Sequence, residues 1–216
     1  MKKLFTAVRK NDLPIVKAIL EKQPGLISCI SGSAPKKDAG QSLLQIVLKC
    51  GSLDVADYLI DFGSDINFIE SEISGNPWRA PVLHDAINAA IMSCRWNTYS
   101  PARGLTVFST EQQANFAYTI LEKMLRLGAD VNAADSYGNT GIFRACIQAS
   151  QILPAQNRQT SEFSTDRLFT QELEHDLRQI FSLLQNFGAD VSYKRPDLGM
   201  TVYEFCPNIL ISNLLG

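Results

Sequence analysis

Two histidines, five cysteines and 22 acidic residues are the side chains of this 216-residue chain with the widest chemical reach. His84 lies in PVLHDAI and His175 in ELEHDLRQ, too far apart to read as a metal pair or as a base beside a nucleophile. Cys29, Cys50, Cys94, Cys146 and Cys206 are odd in number and contain no CxxC pair. That argues against a zinc site or a disulfide framework and for a reducing compartment. Asp65, Asp130 and Asp190 recur in the tripeptides GSD, GAD and GAD, a recurrence that suits a repeated turn better than three metal ligands. Glu172, Glu174 and Asp176 sit where a long helix is expected to begin, so their charge complements the helix dipole, and His175 among them reads as solvated. No phosphate-binding loop, nucleophile elbow or HExxH is present. The chain is expected to be noncatalytic, with no metal and no cofactor.

Bulk composition narrows the partners. Twenty basic residues against 22 acidic ones give a net charge of −2, with neither a nucleic-acid footprint nor a polybasic membrane segment. Arg9, Lys10, Asn11 and Asp12 break the apolar run of the N-terminus before a secretory core forms, and no stretch reaches the ~18 apolar residues of a membrane span. We expect a soluble monomer in the cytoplasm, or one delivered into a host cytoplasm, that binds neither nucleic acid nor membrane.

The elements follow from periodicity. In GQSLLQIVLKCGSLDVADYLIDFGSDIN (40–67), Val55, Tyr58, Leu59 and Phe62 keep helical spacing, and Gly63 supplies the left-handed residue that ends the helix. Gly128 and Gly188 end later helices by the same logic. The markers of this stretch return in order along the chain. It resembles the ankyrin repeat, whose consensus runs from a glycine through TPLHxAA to LLLxxGADVN; Leu44, Val47, Leu48, Gly51, Leu53, Leu59, Gly63, Asp65 and Asn67 fit that register. LFTAVRKNDLPIVKAIL, PVLHDAI, GNTGIFRAC and GMTVYEFC mark further units. The resemblance implies an all-α solenoid of about five helix pairs with short β-turn fingers. The units are expected at 1–30, 37–67, 76–132, 135–192 and 196–216, the last as a cap. The apolar tail from Ile209 to Leu215 is expected to fold back over the last unit or to dock on another chain. At the TPLH position His84 would bond a neighbouring turn, and Cys146 and Cys206 would fill alanine positions.

Spacing locates two inserts. Eighteen residues separate Gln45 from Gly63, whereas 44 separate His84 from Gly128 and 45 separate Phe143 from Gly188, surpluses of 26 and 27. The inserts are placed at 94–110 and 150–168, where CRWNTYSPARGLTV and SQILPAQNRQTSE have loop composition. Thr110 to Gln113 reads as a capping box, so each following helix is lengthened at its start. Equal insertions at equal positions of stacked units should lie side by side as a joint ledge.

The resemblance also implies a concave binding face made of fingers and first helices. Trp78, Tyr137 and Leu198 precede the finger glycine position, which Arg79 occupies in the third unit; that finger, twelve steps from Asn67 to Arg79, is longer than the six from Asn132 to Gly138. Asn139 flanks its finger, and Asp85, Asn88, Arg144 and Gln148 fall at variable first-helix positions. In the first insert, Arg95, Trp96, Tyr99 and Arg103 mix cations with aromatics, which suits an acidic or peptide partner. The expected function is binding of a protein or peptide, possible settings being a bacterial effector or an immunity protein for a toxin. An enzyme with a site built from the inserts is the alternative.

Overall fold

The computed structural model describes residues 2–32, 36–70, 78–157 and 159–216. Their α-helices are α1 (Lys2–Arg9), α2 (Leu13–Lys22), α3 (Leu43–Lys49), α4 (Leu53–Asp61), α5 (Val82–Met92), α6 (Glu111–Arg126), α7 (Gly141–Ala149), α8 (Gln171–Asn186), α9 (Val202–Phe205) and α10 (Ile209–Leu215). Strands β1 (Asn97–Ser100) and β2 (Gly104–Val107) lie between α5 and α6.

Packing sorts the helices into two rows. The odd-numbered helices touch in succession from α1 to α9, the even-numbered ones from α2 to α10, and each of the first four odd helices also packs on the helix that follows it. Between the rows lies one continuous apolar core, to which Leu44, Val47, Leu59, Ile87, Leu121, Phe143, Leu177 and Phe181 contribute fully buried side chains. Each helix has an apolar face too wide for its own partner to cover, so neighbouring pairs complete one another's core. The apolar tail obeys the same rule: Ile211, Leu214 and Leu215 are buried and α10 packs on α8, so the tail folds back.

The recurring Gly-x-Asp tripeptides have a mechanical reason. Gly63, Gly128 and Gly188 all have positive φ and end their helices. Asp65, Asp130 and Asp190 then each accept from the backbone N–H two residues on, at 2.9, 2.9 and 2.8 Å. Asn67 reaches into the next such turn, donating to the Gly128 carbonyl and accepting from the Asp130 N–H at 2.8 Å. Asn132 repeats the clamp on Gly188 and Asp190. Ser192 holds the third place in register, and its hydroxyl turns back to Asp190 instead.

The finger bases are held by short backbone pairings, Ser31 with Gln41, Glu70 with Ala80, Asp135 with Asn139, and Arg195 with Met200. The tip of the long third finger falls largely at 71–77, outside the described residues. The two polar side chains at the TPLH position bond the next finger: Gln45 Nε2 donates to the Ala80 carbonyl at 3.2 Å, and His84 Nε2 to the Ala133 carbonyl at 3.1 Å.

One expectation of the fold class needs correction. The chain is mostly helical but not all-α, because the first expected insert folds into the antiparallel hairpin β1–β2, with Asn97 opposite Val107 and Ser100 opposite Gly104. Three residues join the strands and Gly104 takes φ +70°, a left-handed residue of the kind three-residue hairpin loops require. The second expected insert is not simply a surface loop either, since Ile152 and Leu153 are buried in the core. The long helices start where the caps predict: Thr110 and Gln113 form a capping box for α6, and Thr170 accepts from the Leu173 N–H ahead of α8.

Candidate functional site

Between the end of α3 and the face of α5 lies a groove of about 500 Å³ lined by Lys49, Cys50, Trp78, Asp85, Asn88 and Met92, among others. Trp78 forms its wall. The indole lies between two cations, with Lys49 Nζ 5.3 Å and the Arg144 guanidinium 5.7 Å from the ring centroid, and its Nε1 donates to Asp135 at 3.4 Å. Each cation has its own anion: Lys49 pairs with Glu70 at 2.8 Å and Arg144 with Asp135 at 2.8 Å. Glu70 and Asp135 stand in the same register, three residues after Asn67 and Asn132. That common position was available in the sequence, and with Lys49 it is the part of the site that side-chain reasoning missed.

The floor carries two polar groups with unusual environments. Burial pushes the Asp85 carboxyl up to about 7, against the opposing pull of Lys49, and Gln45 donates to it at 3.2 Å. Asn88, one turn further along α5, has an amide oxygen that is buried and without a hydrogen-bond partner among the described residues. Behind the groove His84 is fully packed, and burial lowers its imidazole to about 4, helped by the nearby Arg144. Burial alone would raise Asp135, but hydrogen bonds from Asn139, the Tyr137 N–H and Arg144 hold it below the usual carboxylate range.

The structure divides the expected binding residues into groups. Trp78, Asp85 and Asn88 meet in the groove. Asp85 is buried rather than displayed, with the Gln45 amide donating to it and Lys49 Nζ 3.9 Å away. Trp78 is half-buried, not an exposed finger tip, for the same reason that makes it a wall: it is held between cations. Arg79 pairs its backbone with Ser136 of the next finger. Asn139 is also buried, donating to Asp135 and accepting from Arg195 at 3.0 Å, so it joins fingers. Tyr137 and Leu198 are 53% and 48% exposed at their finger tips, and Arg144 and Gln148 are half-buried on α7.

The residues of the first insert have mixed fates. Arg95 is a structural cation: it grips the buried Asp176 of α8 with its backbone N–H, its Nε and its Nη2, at 2.9, 3.0 and 2.6 Å. Trp96 stacks on Phe108 at 4.3 Å and donates to the Met92 carbonyl, which pins the hairpin to the end of α5. Tyr99 and Arg103 remain exposed on the hairpin, beside the exposed apolar side chains of Leu105, Val107 and Phe108. The hairpin is joined to the segment ahead of α8. Tyr99 N–H donates to the Asp166 carbonyl at 2.7 Å, and the Asn97 side chain both donates to and accepts from the Leu168 backbone. The two segments lie together, so the sequence-based expectation of a joint ledge matches the geometry, and Met92 is where the ledge meets the groove.

Residues 39–68, which include one finger side, α3 and α4, match the family model of the ankyrin repeat. No curated protein matches the chain. Ankyrin repeats are a protein–protein interaction motif. Among the described residues no cluster of His, Cys, Asp and Glu is placed to hold a metal ion, and no helix is long and apolar enough to cross a membrane.

Proposed function

We propose that the chain is a noncatalytic protein-binding module made of five stacked ankyrin-type units, two of them carrying inserts. A protein or peptide partner lies across the first-helix row and lodges a side chain in the groove beside Trp78. The observation that carries this reading is the groove itself. It combines an aromatic wall, a flexible methionine rim and a buried acceptor on Asn88 that a donor from the partner would satisfy. Tyr99, Leu105 and Phe108, exposed on the hairpin that Trp96 ties to Met92, offer a second, apolar contact.

Filling the groove from Asn88 on its floor and Met92 on its rim tests the reading, since neither residue belongs to the buried apolar core. Asn88→Arg together with Met92→Arg should weaken capture of the partner at least ~30-fold, the loss of one central anchor worth about 2 kcal/mol, with thermal unfolding unchanged. Undiminished capture by this variant would move the site away from the groove. Two finer forms of the proposal, an effector acting on a host protein and an immunity protein acting on a cognate toxin, are separated by whether host or source-cell lysate supplies the partner. The module acts in the cytoplasm in either form.

A further inference from the structure

The hairpin β1–β2 has one closed edge and one open edge. Its register, with the bond from the Phe108 N–H to the Trp96 carbonyl at 3.0 Å, makes Thr98 and Thr106 a hydrogen-bonded pair. The N–H and C=O groups of Tyr99, Leu105 and Val107 therefore point away from the hairpin. On the β1 side that edge is covered: Tyr99 N–H donates to the Asp166 carbonyl, and the Asn97 side chain clasps the Leu168 backbone. On the β2 side it is open. Among the described residues the N–H and C=O of Leu105 and Val107 have no hydrogen-bond partner, and all four residues of β2 are exposed. Proteins blunt such edges with charge or proline, and Gly-Leu-Thr-Val has neither.

We propose that the outer edge of β2 is a docking site for an extended segment of a partner protein, which joins the hairpin as a third, antiparallel strand. The inference gives partner chemistry to the hairpin contact of the reading above and does not depend on the groove.

The edge specifies its occupant. A row of donors and acceptors that repeats every second residue is matched by another extended main chain. Opposite residues share a face, so Tyr99, Leu105 and Val107 line one face of the hairpin and Thr98, Ser100 and Thr106 the other. Because Tyr99, Leu105 and Val107 are exposed, the segment has apolar residues at alternate positions on that face and polar ones between them. Arg103 stands exposed just before β2 and forms no ion pair among the described residues. The C-terminal end of an antiparallel segment lies beside it, so an acidic residue follows the apolar ones. The hairpin is already fixed, by the stacking of Trp96 on Phe108 and the grip of Arg95 on Asp176, so the incoming segment orders only itself.

A second copy of this chain fits the edge less well. Two such edges share at most four main-chain hydrogen bonds, against about ten hydrogen bonds in an interface between globular proteins. In the symmetric register that sets Leu105 opposite Val107, Arg103 also falls opposite Ser109 rather than an acid.

The test selects random linear peptides displayed on phage against the full chain and measures the enriched peptides, made synthetically, against variants. Expected are peptides with apolar or β-branched residues at every second position and an acid C-terminal to them. Val107→Pro removes an outward N–H at a position where an edge strand tolerates proline, and should weaken binding at least ~tenfold. Val107→Thr keeps the main chain and a β-branched side chain, and should stay within about threefold of the natural chain. In the natural chain, hydrogen exchange at the Leu105 and Val107 amides should slow on binding, a readout that needs no variant. Asn88→Arg with Met92→Arg should leave these peptides bound. A selection that yields no peptide protecting those two amides would overturn the proposal; if the peptides recovered are lost by the groove variant instead, the groove reading stands and only the strand addition falls. Equal loss from Val107→Thr and Val107→Pro would overturn it as well, reducing the contact to an apolar patch. Self-association of the chain that Val107→Pro abolishes would overturn it in favour of a second copy.

Discussion

His84 and Asp85 are sequence neighbours whose burial acts in opposite directions on stability. Asp85, raised to about 7 from an ordinary carboxylate value of 3.8, stabilises the fold below about pH 4 and loses that contribution as pH rises through 7. His84, lowered to about 4 from 6.5, stabilises the fold above 6.5 and loses that contribution as pH falls through 4. Across roughly pH 4 to 6.5 the two slopes cancel, and removing either residue exposes the other. Asp85→Asn should give a stability that climbs with pH across that window by up to about 3 kcal/mol, while His84→Gln should give one that falls; denaturant unfolding at several pH values reads both. Parallel profiles for the two variants would contradict the account. A glycine comparison tests the finger contacts at the same scale. Gly138 has φ +81° and a Cβ there would stand 2.9 Å from Pro196 Cδ, whereas Gly128, at φ +96°, has open space. Both pay the left-handed strain of about 1 kcal/mol on mutation to alanine, and Gly138→Ala should cost measurably more. Much of this chemistry was readable beforehand: the turn-bonding role of His84 followed from its register. The burial of Asp85 and Asn139 was not, because periodicity identifies a helix face or a finger but not which long side chains of another unit fold over it.

At the scale of elements, the informative junction is that between the hairpin and α8. Arg95 is its centre, because its removal leaves Asp176 buried and unpaired. Arg95→Ala should therefore destabilise the protein by about 3 kcal/mol, and limited proteolysis should then cut first in the hairpin. An exposed, mobile hairpin would instead be cut as rapidly in the natural chain and would make Arg95→Ala nearly neutral. The positions of both long connections were visible in the sequence as excess spacing between homologous residues, and their equal size pointed to a shared location. The strands were not read, although Tyr99, Leu105 and Val107 alternate with Thr98 and Thr106, because Ser100, Pro101, Arg103 and Gly104 give the stretch a loop composition. Arg95 and Trp96 looked like binding groups for a related reason: a cation and an aromatic side chain suit a partner and an internal tie equally well. Only the position of Asp176 and Phe108 decides between them.

For the whole molecule, the two rows of helices are held in register by contacts that recur from one turn to the next. Asn132→Ala removes both hydrogen bonds of one clamp and should lower stability by about 1–3 kcal/mol, with broadening of the unfolding transition if the units on either side begin to melt separately. The row arrangement was the most legible feature of all, since it depends on apolar spacing and helix-ending glycines that the sequence displays directly. The groove was only half legible: Trp78 and Asn88 were expected on one face and do line one groove, but Lys49 and Glu70 come from other elements and join them only through stacking. The direct test of the central claim is site-specific photo-crosslinking with a benzophenone amino acid at Met92, on the groove rim, and separately at Arg126, on the outer row at the end of α6. The account predicts a partner crosslinked from position 92 and not from 126; a partner crosslinked from 126 alone would contradict it.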